Sequence, residues 1–155
     1  MRSPPCPCSS ALPYARCCAP YHLGAEAPTP VALMRSRYAG FALKKVDYLW
    51  RTLHPEHPDR AEPEAVGIAS LRATCERLKY PGLRIVDTRE AGPRGLPEVL
   101  FYARMFERGV DRSFVECSAF ARDQLGWRYR DGVLVAPRDV GDPASWSFAR
   151  IDALG

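Results

Sequence analysis

Four cysteines crowd the start of this chain, Cys6 and Cys8 as a Cys-x-Cys pair and Cys17 and Cys18 side by side. The segment that carries them is broken by Pro4, Pro5, Pro7, Pro13, Pro20, Pro28 and Pro30, and shows no sustained helical or strand period. It is too short to bury a core, so something other than apolar burial has to order it. A zinc ion does this in small segments. It takes four ligands in a tetrahedron, favours thiolates, and supplies on the order of 10 kcal/mol of apparent folding energy. Four protein ligands leave no position for an activated water, which makes such a site structural rather than catalytic. The same thiols admit other chemistry: a redox relay pairing Cys8 with Cys17, iron–sulfur or copper ligation, or a loose thiol-rich tail. His22 is a substitute ligand by position.

The rest of the sequence is that of one ordinary domain. Its 155 residues are 46 % hydrophobic and 26 % charged, enough for a real core and too few for an additional large catalytic domain. A net charge of +4 with interspersed signs is too small to argue nucleic acid on its own. The first residues contain no signal-peptide core, and no apolar run approaches a membrane span, so a cytoplasmic protein without a membrane segment is expected. Thiols stay reduced in that compartment, and the six cysteines are not read as a disulfide framework. Cys75 and Cys117 stand apart and read as small buried hydrophobes.

Thr29 can cap and Pro30 suits a first helical position, ahead of Leu33, Met34, Tyr38, Phe41 and Ala42 at three- and four-residue steps. A second helix is expected at about Val46 to Leu53, starting near Asp47. A third opens at Pro63 and Glu64, buries Ile68, Leu71, Cys75 and Leu78, and stops at Tyr80-Pro81-Gly82. The period then shifts toward two, giving strands at Leu83–Arg89, Glu98–Arg108, Arg112–Arg122 and Trp127–Val135, with hairpin-length turns between them. Helices first and strands last predict an α+β domain, with the helices on one face of a curved antiparallel sheet.

The run from Cys6 to Cys18 resembles the SEC-C motif, the zinc-binding tail of the preprotein translocase motor. Tyr21-His22, Ala32 to Tyr38, Asp47-Tyr48-Leu49, His54-Pro55, Glu116 with Ser118 and Phe120, and Trp127-Arg128-Tyr129 before Asp131-Gly132 are similar to the YchJ family of bacterial proteins. This resemblance implies a zinc knuckle over residues 1–28 followed by a nuclear transport factor 2-like, or cystatin-like, domain over residues 29–155, a cone of curved sheet around helices. It implies one structural zinc ion and no particular activity. Ser9, Ser10 and Ala11 stand where the motif usually has Gly-Ser-Gly, and no further cysteine cluster follows at the C-terminus.

A cone of this kind can hold a pocket, and Tyr38, Asp47, His54 and Glu116 are its candidate residues. Alternation puts Glu116 on one face with Phe114, Ser118 and Phe120. Either it serves acid–base chemistry, or it forms a buried ion pair with Arg35 or Arg37, and the ion pair is the favoured reading. Arg2, Arg16, Arg35, Arg37, Lys44 and Lys45 give the N-terminal region positive charge that suits an acidic protein partner or RNA. Analogy with the translocase tail adds a ribosomal surface. An apolar open sheet face would make a homodimer. The leading expectation is a zinc-binding accessory protein whose knuckle offers a rigid surface and whose cone binds a partner or ligand. An isomerase, dehydratase or hydrolase using the cone is the alternative.

Overall fold

A computed structural model describes residues 3–136 and 140–154. Thr29 accepts a hydrogen bond from the Ala32 N–H at 3.1 Å and Pro30 leads the first turn, so helix α2 runs Pro30–Ala42 as its capping residues dictate. Before it comes the single turn α1, Ala19–His22; after it come α3, Val46–Arg51, and α4, Glu64–Arg77. Lys44, in the left-handed region at φ 60°, turns the chain between α2 and α3. Asp47 lies in the first turn of α3, one residue inside its start.

Strands follow in one antiparallel sheet: β1 Lys79–Arg89, β2 Glu98–Glu107, β3 Val110–Asp111, β4 Phe114–Asp123 and β5 Gly126–Ala136. The order is β1-β2-β4-β5, with the short β3 folded back on the end of β2. Tyr80-Pro81-Gly82 does not stop the third helix as its composition predicts. The helix ends at Arg77 and β1 has begun by Lys79, with a register shift between Lys79 and Gly82. Proline is tolerated there because β1 is an edge strand, where a missing N–H costs no ladder bond.

The concave face packs on α2. Leu83, Val99, Phe101, Ala103 and Phe120 from the sheet meet Leu33 and Tyr38 from the helix in one buried cluster. Tyr38 fixes the contact: its hydroxyl donates to Arg104 O at 2.9 Å and accepts from the Gly82 N–H at 2.8 Å, tying α2 to β1 and β2. The helices are not all on this face. A C-terminal helix α5, Phe148–Leu154, crosses the other side, where Trp146 and Phe148 bury Leu100, Val115 and Ala136. This part of the outer sheet face is covered from within the chain. Among the described residues, no helix is long and apolar enough to cross a membrane.

Candidate metal centre and core cavity

Prolines do not prevent the N-terminal segment from pairing with itself. Cys6 N–H donates to Leu12 O at 2.9 Å and Tyr14 N–H to Pro4 O at 2.8 Å, with Pro5 opposite Pro13. This short ribbon, closed by a 3-10 turn over Tyr14–Arg16, returns Cys17 and Cys18 to Cys6 and Cys8. The four sulfurs lie within 4.8 Å of one another, with Cys8 and Cys17 Sγ 3.5 Å apart and Cys17 and Cys18 Sγ 3.8 Å apart. A tetrahedron with metal–sulfur bonds of about 2.3 Å has sulfur–sulfur edges of about 3.8 Å. These spacings match that edge and exceed the disulfide bond length, about 2.05 Å.

Cys6, Cys8 and Cys18 are buried and Cys17 half-buried. Thiol hydrogen bonds from Cys18 and its neighbours pull Cys8 down to about 4. Burial pushes Cys6 up to about 11, and Cys18 rises because it donates to Cys8 and is itself buried. Burial and the hydrogen bonds among the thiols thus oppose ionisation of Cys6 and Cys18, an opposition that a bound dication would remove. His22, the substitute donor by position, uses both ring nitrogens elsewhere. Its Nδ1 accepts from the Tyr14 hydroxyl at 2.7 Å and its Nε2 donates to Ser36 O at 2.8 Å. The donors that could hold a metal ion are thus the four cysteine sulfurs.

The loop inside the knuckle is where the motif's glycines are missing. Ser9 and Ala11 both adopt the left-handed conformation, at φ 67° and 70°. Ser9 Oγ accepts from the Leu83 N–H at 3.0 Å, and Ser10 Oγ lies 3.0 Å from Cys17 Sγ. Arg35 of α2 donates to Cys8 O at 2.8 Å. The cluster is consequently anchored to α2 and to β1.

A cavity of about 410 Å³ opens between the concave sheet face and the helices. Of the four residues singled out in the sequence, Tyr38 and Glu116 line it. Asp47 is exposed on α3, and His54 holds a turn, its Nδ1 accepting from the Glu56 N–H at 3.1 Å. His57 lines the cavity instead, tilted against the Tyr129 ring at 5.1 Å between centroids. Tyr129 and Arg37 complete its polar end, and neither stood out as a cavity residue in the sequence.

Glu116 makes no ion pair among the described residues. Its Oε2 accepts from the hydroxyls of Ser118, at 2.5 Å, and Tyr129, at 3.0 Å. Arg35 is engaged at Cys8, and Arg37 stacks on the Tyr129 ring at 4.8 Å rather than meeting the carboxylate. The favoured buried ion pair is replaced by a hydroxyl-held carboxyl. Burial raises the Glu116 pKa against those two hydrogen bonds, raises Tyr129, and lowers His57. The polar end thus offers a carboxyl biased toward its neutral form, able to donate or accept a proton, beside a permanent cation. Gly132, across from Ser118 on β5, leaves the room: a Cβ there would strike both the Tyr129 hydroxyl and the Glu116 carboxylate.

Of the basic residues noted in the sequence, Arg35 and Arg37 turn inward, Arg16, Lys44 and Lys45 are exposed, and Arg2 lies outside the described residues.

A curved antiparallel sheet around a cavity, joined to a four-cysteine cluster, defines a nuclear transport factor 2-like α+β protein with a SEC-C motif. Residues 29–132 match the family model described as "YchJ, middle NTF2-like domain". The UPF0225 protein YchJ of Shigella dysenteriae is 36 % identical over 132 residues, covering 82 % of this chain and 81 % of that protein. The chain belongs to the YchJ family. A solution structure of a SEC-C motif containing protein from Rhodopseudomonas palustris is 32 % identical with a TM-score of 0.70, covering 84 % of this chain and 98 % of that one. A crystal structure of a SEC-C motif containing protein from Psychrobacter arcticus shares the fold, at 21 % identity, a TM-score of 0.66 and coverage of 99 % and 97 %.

Proposed function

We propose that this protein is a zinc-stabilised receptor for a small molecule, with the knuckle as a structural clip and the cone as the binding chamber. The observation that carries it is the 410 Å³ cavity, of small-molecule size, with an apolar wall and one polar end. Four cysteine sulfurs at tetrahedral spacing in a largely buried site with no open position suit a structural zinc ion.

Two measurements test the two halves. Protein purified without added metal carries one zinc per chain by elemental analysis, and a Cys6→Ser/Cys8→Ser variant carries none; a metal-free wild type with four titratable thiols refutes the clip. An apolar fluorescent probe binds the wild type, and Thr74→Phe, which fills the cavity from α4, weakens that binding at least tenfold. Equal binding by both proteins refutes the chamber.

A second reading, docking of the knuckle on a protein or ribosomal surface, is favoured by the exposure of Leu12 and Leu23 beside the cluster, at 51 % and 88 %. Leu12→Ser/Leu23→Ser leaves zinc content intact and abolishes co-sedimentation with ribosomes if that surface docks there. Co-sedimentation unchanged by the substitutions, or absent in the wild type, rejects the ribosomal form of this reading.

A further inference from the structure

Arg37 projects from the middle of α2 with 3 % of its surface exposed. All of its hydrogen bonds run through Nη1, to Leu49 O at 2.8 Å and Thr52 Oγ1 at 2.6 Å. Among the described residues, Nε and Nη2 have no hydrogen-bond partner, and no carboxylate stands at ion-pair distance. Yet the side-chain nitrogen sealed away without a partner is Arg60 Nε, not these two. The unspent edge of Arg37 therefore meets the cavity it lines.

A buried cation without a counterion at contact distance is expensive, and the groups around this one do not supply a full one. Glu116 is committed at Oε2 to two hydroxyls, and burial biases it toward the neutral acid. Asp59 is exposed, 3.9 Å from His57, and burial favours the neutral form of that imidazole. Tyr129 and Tyr48, the other titratable groups near Arg37, are also held neutral by burial. A guanidinium edge presents paired donors that match a carboxylate bidentately. A single cation in an apolar chamber suits a monoanion better than a phosphate dianion.

We infer that the cavity takes an apolar monocarboxylate, its carboxylate held by the free edge of Arg37 and its body packed among Phe41, Phe101 and Phe114. This rests on the receptor reading above and adds the chemical class of what is received.

The test is calorimetric binding to the zinc-loaded full chain at neutral pH of three matched probes: naphthalene-1-acetate, 2-(1-naphthyl)ethanol and 2-(1-naphthyl)ethylamine. The acid is expected to bind at least tenfold tighter than the alcohol, with the amine weakest. Arg37→Lys keeps the charge but loses the fork, and reduces the acid's advantage several-fold. If that variant does not fold, since Nη1 also holds the α3 end, the order of the three probes on wild type decides by itself. Equal binding of acid and alcohol, or preference for the amine, overturns the carboxylate inference and leaves the receptor standing. Binding of none of the three fails the receptor reading itself.

Discussion

Replacing Ala11 with glycine should tighten the metal site without touching a ligand. Ala11 is exposed, and its side chain makes no hydrogen bond, so what the methyl group contributes is its conflict with the left-handed backbone at φ 70°. Holding a residue with a Cβ in that region costs about 1–2 kcal/mol, and glycine gives back part of the gain through the larger entropy of its unfolded chain. The net expected for Ala11→Gly is a stabilisation of about 1 kcal/mol. Ser9, at φ 67°, supplies the internal control. Ser9→Gly relieves the same strain but removes the hydroxyl that accepts from the Leu83 N–H, a bond worth about 1 kcal/mol. Its net effect should be near zero.

On the proposed zinc clip, folding of the knuckle and binding of its ion are one step, so this energy would appear as metal affinity. Competition with a chromogenic zinc chelator should show Ala11→Gly binding about fivefold tighter and Ser9→Gly within about twofold of wild type. In thermal unfolding the first variant gains about 2–4 °C. Equal gains in the two variants would mean that the Ser9 contact with β1 contributes nothing, and a loss in Ala11→Gly would refute the strain argument outright.

Three other perturbations have a definite sign. Glu116→Gln should become progressively more stable than wild type as pH rises above 4.5, the ordinary value for this group. Burial raises the folded-state pKa, so the contribution of the neutral acid is full below that pH and is lost on passing through the raised value. Urea unfolding of both proteins from pH 4 to 7 reads the widening gap, and parallel curves would refute it. Gly67→Ala, which on an open helix face would stabilise by about 1 kcal/mol, should instead cost about 1–3 kcal/mol, because the new Cβ enters the space of the Trp50 ring; thermal unfolding decides the sign. Asp87→Ala removes the carboxylate that accepts from the Phe148 N–H at 2.9 Å, and should cost about 1 kcal/mol and speed proteolysis within α5. Unchanged cleavage there would mean that the apolar contacts of Trp146 and Phe148 suffice.

The cysteine cluster was legible because thiols that crowd a Pro-rich segment have few other uses, and the face of Glu116 was legible because a central strand keeps a strict period of two. Arg37 was legible only in part: the sequence offers it, with Arg35, as a buried partner of the Glu116 carboxylate, but only the packing of α3 against α2 brings Leu49 O and Thr52 within its reach in place of that carboxylate. The exchange of His54 for His57 has a similar origin. Leu53 and His54 run beside β5, with the His54 N–H donating to Tyr129 O at 2.8 Å, and the turn that follows carries the other ring over Tyr129. Helix α5 escaped because it is short and follows Pro143, although Phe148 and Ile151 are three residues apart and both join the outer cluster.

Arg35, Ser36 and Arg37 are consecutive on α2, and they connect the two halves of the molecule. Arg35 holds the carbonyl of Cys8 in the cysteine cluster, Ser36 O receives His22 of the knuckle, and Arg37 lines the cavity. On the proposed zinc clip, loss of the metal would free Cys8 and His22 from the helix that positions the cavity's cation, so the two sites should be coupled through one rigid element. Couplings of this sort run about 1–3 kcal/mol, or roughly five- to 150-fold in affinity. Stripping zinc with a chelator should therefore weaken binding of the apolar acid at least fivefold while the far-ultraviolet dichroism of the cone persists. By reciprocity, saturating acid should raise zinc affinity by the same factor. An unchanged acid affinity in a folded, metal-free chain would show that α2 is held by Tyr38 and the sheet alone, with the knuckle contributing nothing to the chamber.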